Sequence, residues 1–100
     1  MTEADAAVAA ALAAREAVAA QIAENTASRR VADKELGVVQ GRLTKYKDQL
    51  MEVKTNKEYT TMQHEIATAE EGVRNFEDQI LTLMMQADEL TASLKAADAA

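Results

Sequence analysis

Cysteine and proline are both missing from this chain, and aromatic residues are reduced to Tyr46, Tyr59 and Phe76. Without cysteine there are no disulfides, no thiolate zinc sites and no cysteine nucleophile. Without proline, no residue forces a helix to end. Three aromatic side chains argue against a thick globular core. No stretch reaches the roughly 18 consecutive apolar residues of a membrane span. The start, with Glu3 and Asp5, lacks the basic and then strongly apolar regions of a signal peptide. The expectation is a cytoplasmic protein with no membrane contact. His64 is the one histidine; it falls on the outer face of a helix, with no glutamate cluster aimed at it. No Ser-His-Asp set, phosphate-binding glycine loop or converging pair of buried carboxylates is present. The expectation is therefore no enzyme, no metal and no cofactor in this chain.

What the chain does contain is an apolar repeat. Leu36, Val39, Leu43, Tyr46, Leu50 and Val53 recur at alternating steps of three and four. Tyr59, Met62, Ile66, Ala69, Val73, Phe76, Ile80, Leu83, Ala87, Leu90, Leu94 and Ala97 do the same. That alternation is the period of a coiled-coil seam. Extended backwards, the first series passes through Ala32, Arg29, Asn25, Ile22, Val18, Arg15, Ala11 and Val8. Its polar members can fix register or partner number at a cost in stability, or they are simply tolerated by a weakly packed end, which is the reading preferred. Residues 3–24 are alanine-rich, so helix propensity carries that part.

Between Val53 and Tyr59 the repeat takes a step of six and loses phase. The capping-box pattern Thr55-Asn56-Lys57-Glu58 lies at the same place: the Thr side chain accepts from the amide three residues on, and Glu58 reaches back. Asn56 is an equally good cap by residue type. Glu58 suits the positive end of the new helix dipole, and Lys54 the negative end of the old one. The chain is thus read as all-α: a long antiparallel two-helix coiled-coil hairpin over residues 1–100. Helix 1 should run over about 3–54, the turn over about 55–56 and helix 2 over about 57–98. Folding about residue 56 sets Val53 opposite Tyr59, Leu43 opposite Ala69, Val39 opposite Val73, Ala32 opposite Ile80 and Asn25 opposite Ala87. Both tyrosines would then be core residues, which removes them as a nucleic-acid stacking platform. Residues before about 12 would have no partner within the chain.

The net charge is −6, which speaks against a general nucleic-acid binder. It is uneven, because residues 42–64 carry five basic groups against three acidic ones. Arg42, Lys45, Lys47, Lys54 and Lys57 therefore surround the turn, and with Asn56 and Glu58 they are the candidate partner-binding residues. Thr55, Asn56 and Glu58 are the candidate capping residues. Exposed Lys and Arg interleaved with Glu also occur on ordinary solvated coiled-coil flanks.

The run Val53-Lys54-Thr55-Asn56-Lys57-Glu58-Tyr59, followed by Met62, Glu65 and Ile66, resembles the C4-type zinc-ribbon proteins of bacteria. In that family a long coiled-coil hairpin precedes a small zinc ribbon, and a Val-Lys-x-Asn-Lys/Arg-Glu-Tyr run marks the hairpin. The resemblance covers roughly residues 30–97. The ribbon needs two Cys-x-x-Cys pairs, and this chain has no cysteine, so zinc binding transfers to no residue here. The resemblance implies an adaptor-like cytoplasmic protein whose hairpin is a protein-binding arm, with nucleic-acid binding often ascribed to the family. The expected function is a non-catalytic interaction module that binds a protein partner through its tip and flanks. Nucleic-acid binding at the basic tip, or a structural spacer resembling prefoldin arms, are the competing readings. Homodimerisation stays open.

Overall fold

A computed structural model describes residues 2–99 and is all-α, an antiparallel helical hairpin. Helix α1 spans Glu3–Leu50 and helix α2 spans Asn56–Ala99. Thr2 caps α1: its Oγ1 accepts from the Asp5 amide at 3.2 Å, and the Asp5 carboxylate accepts from the Thr2 amide at 3.4 Å. This reciprocal box satisfies amides that have no partner within the helix. Its Thr-x-x-Asp spacing is a signal that the sequence reading passed over.

Helix α1 ends at Leu50, short of the expected 54, and the connection is residues 51–55 rather than a two-residue turn. The last turn closes by tighter three-residue bonds, from the Met51 amide to the Asp48 carbonyl at 3.2 Å and from Glu52 to Gln49 at 3.0 Å. Chain crossing explains the early stop. Two packed helix axes lie about 8–10 Å apart, and a left-handed glycine ending would be needed to turn within two residues. Among the described residues none has positive φ. The longer connection makes glycine unnecessary.

Two compact units divide the chain. In the unit Arg30–Leu81, the seam positions are the covered ones. Ala32, Ile66 and Ala69 are buried, and Leu36, Val39, Leu43, Tyr46, Leu50, Val53, Met62, Val73, Phe76 and Ile80 are half-buried. Two helices cover each other along one stripe only, so the stripe stays open at both edges. Tyr59 departs from the expectation. It is 47% exposed and is no core residue. Its expected partner Val53 sits in the connection, so no helix surface stands opposite it. Gly72 lies where the helices come close: a Cβ added there would sit 3.2 Å from Val39 Cγ1, whereas Gly37 and Gly41 face open space.

The second unit comprises residues up to Arg29 and from Thr82 onward. Val18, Ile22, Leu83, Ala87, Leu90 and Leu94 are half-buried, while Ala11 and Ala97 are exposed despite their seam phase. Asn25 is only 8% exposed, and its Nδ2 donates to the Leu83 carbonyl at 2.9 Å. The expectation of a merely tolerated polar residue is corrected here, because the side chain is enclosed and bonded. In a regular helix the Leu83 carbonyl also accepts the Ala87 amide. The bond therefore lies at the height assigned to Ala87, on the carbonyl's second lone pair.

The same part of α1 has no uninterrupted apolar run of membrane-spanning length, because Arg15 and Glu16 break it. It nevertheless holds an 18-residue window of mean hydropathy 1.4, none of it buried, in a helix long and apolar enough by length and composition to cross a membrane. Alanine makes up most of this stretch. Strongly favourable insertion belongs to Leu, Ile, Phe and Val, and a central Arg such as Arg15 costs about 2.5–3.5 kcal/mol.

Candidate partner-binding tip

The tip is built by the end of α1, the connection and the first turns of α2. Thr55 is its structural pivot. Thr55 Oγ1 accepts from the Glu58 amide at 3.1 Å, and the Thr55 carbonyl accepts from the Tyr59 amide at 3.0 Å, which is the first bond of the α2 ladder. Glu58 Oε2 reaches back to the Lys54 amide at 3.2 Å, one residue beyond the usual capping-box partner. The two caps together tie the connection to the helix. Asn56, considered as an alternative cap, is instead the first residue of α2. Its carbonyl accepts from Thr60 Oγ1 at 3.0 Å.

The five basic side chains are all exposed. Lys47 lies in the last turn of α1, where a cation offsets the partial negative charge of the helix end. Lys54 was expected in that role, but it lies outside the helix and serves the cap through its amide. Arg42 and Lys45 stand farther down α1, and Lys57 opens α2. Glu58 lies among them with its carboxylate already engaged. The tip therefore presents five cations around a structured loop, with exposed Asp48 and Glu52 interleaved among them.

Two large side chains complete the surface: Met51, whose position lies outside the apolar repeat, and Tyr59, which the repeat assigns to the core. Met51 is 87% exposed in the connection, and Tyr59 is 47% exposed on α2. The Tyr59 hydroxyl accepts from Gln63 Nε2 at 2.9 Å, which holds the ring against the helix. The signal that could have found the exposure of Tyr59 is the helix end itself: a seam position within one turn of the cap has no opposing helix to cover it.

Other groups near the tip are already committed. Thr60 and Thr61 donate their hydroxyls to the carbonyls of Asn56 and Lys57, and Thr68 donates to that of His64. Such back-bonding leaves no pre-oriented hydroxyl facing outward. Among the described residues no group of three His, Asp or Glu side chains could hold a metal ion. Farther along, beside Asn25, Leu83 and Leu90 floor an open groove walled by Gln21, Glu24, Gln86 and Glu89. Neither surface converges reactive groups on a single point.

Compared with protein-family models, curated proteins and solved structures, the chain gives no match.

Proposed function

We propose that this chain is a non-catalytic interaction module that presents its tip to an acidic surface of a protein partner. The observation that supports this reading is exposed Met51 and Tyr59 beside Lys54 and Lys57, across the connection and the capped first turn of α2. Aromatic residues and methionine are enriched in protein interfaces, and a few such anchors carry most of the binding energy. The surrounding cations add on-rate and selectivity for an acidic partner. The resemblance to the zinc-ribbon hairpins, and a cytoplasmic setting, are part of the same proposal.

Capture experiments comparing the natural chain with the Lys54→Glu, Lys57→Glu double variant test it. Loss of the captured partner is expected, and an unchanged capture profile removes the tip from the account. Met51→Ser and Tyr59→Ala then separate anchor from charge.

Nucleic-acid binding is retained as a second reading because Tyr59 is exposed. An exposed ring beside cations can stack on an unpaired base. Binding of a single-stranded oligonucleotide should then weaken steeply with salt as counterions are released. No binding at low salt ends that reading.

A further inference from the structure

The first turns of α1 take no part in the tip, yet they carry apolar side chains with nothing over them. Every residue from Thr2 to Ala17 is exposed, with Val8 at 60% and Leu12 at 54%. Helix α2 meets this segment at its last turn, where Arg15 Nε lies 3.0 Å from Asp98 Oδ1. Asp5, Val8, Leu12 and Arg15 recur at steps of three, four and three, and such a series shares one helix face.

We propose that this face is the contact with a second copy of the chain, the two α1 segments running antiparallel about a twofold axis near residue 10. In that register facing positions sum to 20. Val8 lies opposite Leu12 of the second copy, and Leu12 opposite its Val8. Asp5 lies opposite Arg15, and Arg15 opposite Asp5. The face is self-complementary, as a twofold contact requires. Two apolar layers are closed at each end by an ion pair. A parallel pairing would instead set Asp5 against Asp5 and Arg15 against Arg15, and it would bring two positive helix ends together.

Arg15 can serve both partners. Its Nε faces Asp98, and a guanidinium has four further N–H donors for Asp5 of the second copy. At 100° per residue the face is turned roughly 80° from the Val18–Ile22 seam direction. A second helix can dock there without displacing α2. Ala4, Ala9 and Ala11 flank the contact and allow a close approach. Charge complementarity favours a second copy over lipid, because Glu3 and Asp5 are repelled by anionic headgroups. Two large apolar side chains are also a thin anchor for a membrane surface. The contact is small, which places it among weak, concentration-dependent interfaces.

Sedimentation equilibrium of the full chain, from about 10 μM to about 1 mM, is the test, because weak dimers dissociate in this range. A monomer–dimer equilibrium is expected. Asp5→Arg and Arg15→Asp should each weaken it about tenfold, since each sets like charges opposite one another twice per dimer. The double variant should recover most of the loss. It lacks the Asp98 pair as fully as Arg15→Asp does, so recovery isolates the contact between copies. Leu12→Gln should abolish association, with circular dichroism of the dilute chain confirming that the helix remains. A monomer throughout the range overturns the proposal, as does a dimer indifferent to Leu12→Gln or a charge swap that fails to restore it. Binding to phosphatidylcholine vesicles without self-association would overturn it in favour of lipid.

Discussion

At the residue scale, single positions differ in what surrounds them, and glycine is the clearest case. Alanine exceeds glycine in a helix interior by about 1 kcal/mol. Gly37 and Gly41 face open space, so Gly37→Ala and Gly41→Ala should each stabilise the chain by about 0.5–1 kcal/mol. At Gly72 the new Cβ would press on Val39 at 3.2 Å, and the side chain would have to yield by a few tenths of an ångström. Gly72→Ala should therefore gain clearly less than the other two in urea denaturation. Asn25 gives a second contrast. Asn25→Ala removes an enclosed hydrogen bond and should cost about 1 kcal/mol. Asn25→Leu should be stabilising, because Leu83 keeps its helical hydrogen bond and an apolar layer is completed. A seam Asn trades stability for register, so the Leu variant should also show mixed association states in sedimentation.

At the element scale, the start of α2 rests on a few polar bonds in place of glycine or proline. Thr55 accepts the Glu58 amide, and Glu58 accepts the Lys54 amide. Thr55→Ala should cost about 1 kcal/mol, the usual worth of such a cap, while Thr55→Asn should retain most of the stability. Asn56→Ala should be close to neutral, since Asn56 is the first helical residue and gives its carbonyl rather than its side chain. Thermal denaturation of the three variants checks the assignment, and an Asn56→Ala loss equal to that of Thr55→Ala would move the cap. The start of α1 is capped in the same manner by Thr2 and Asp5, but with no seam residue covered before Val18. Its amides should exchange with deuterium much faster than those near Ala32, Ile66 and Ala69, the buried positions.

At the scale of the whole molecule, little apolar surface leaves water. The chain exposes 7595 Å², against about 5,500 Å² for a globular protein of its size. The heat-capacity change on unfolding follows the apolar surface exposed. Calorimetry should therefore give a value well below the ordinary 12–15 cal/mol/K per residue, with a broad transition. A value within that range would mean that the chain buries far more surface in solution, as an extensive oligomer would.

The hairpin itself is legible in the residue pattern, because a three-four repeat admits one stripe and the loss of phase before Tyr59 admits one place to turn. That stripe, from Ala32 to Val53 and from Met62 to Ile80, is what the two helices cover. The Thr55 and Glu58 cap is legible for the same reason: its partners lie within four residues, so sequence distance and spatial distance nearly coincide. Exposure at the tip is not legible. Periodicity assigns Tyr59 to the seam, but it counts turns of one helix and cannot register that the opposing helix has ended at Leu50. Nor does it reveal that Asn25 is enclosed against a backbone carbonyl 58 residues away, a fact created by the second helix. Local rules determined the helices, their stripe and their caps. Only the packing of one helix on the other decided which members of the stripe are covered, and so which residues at the tip are left exposed.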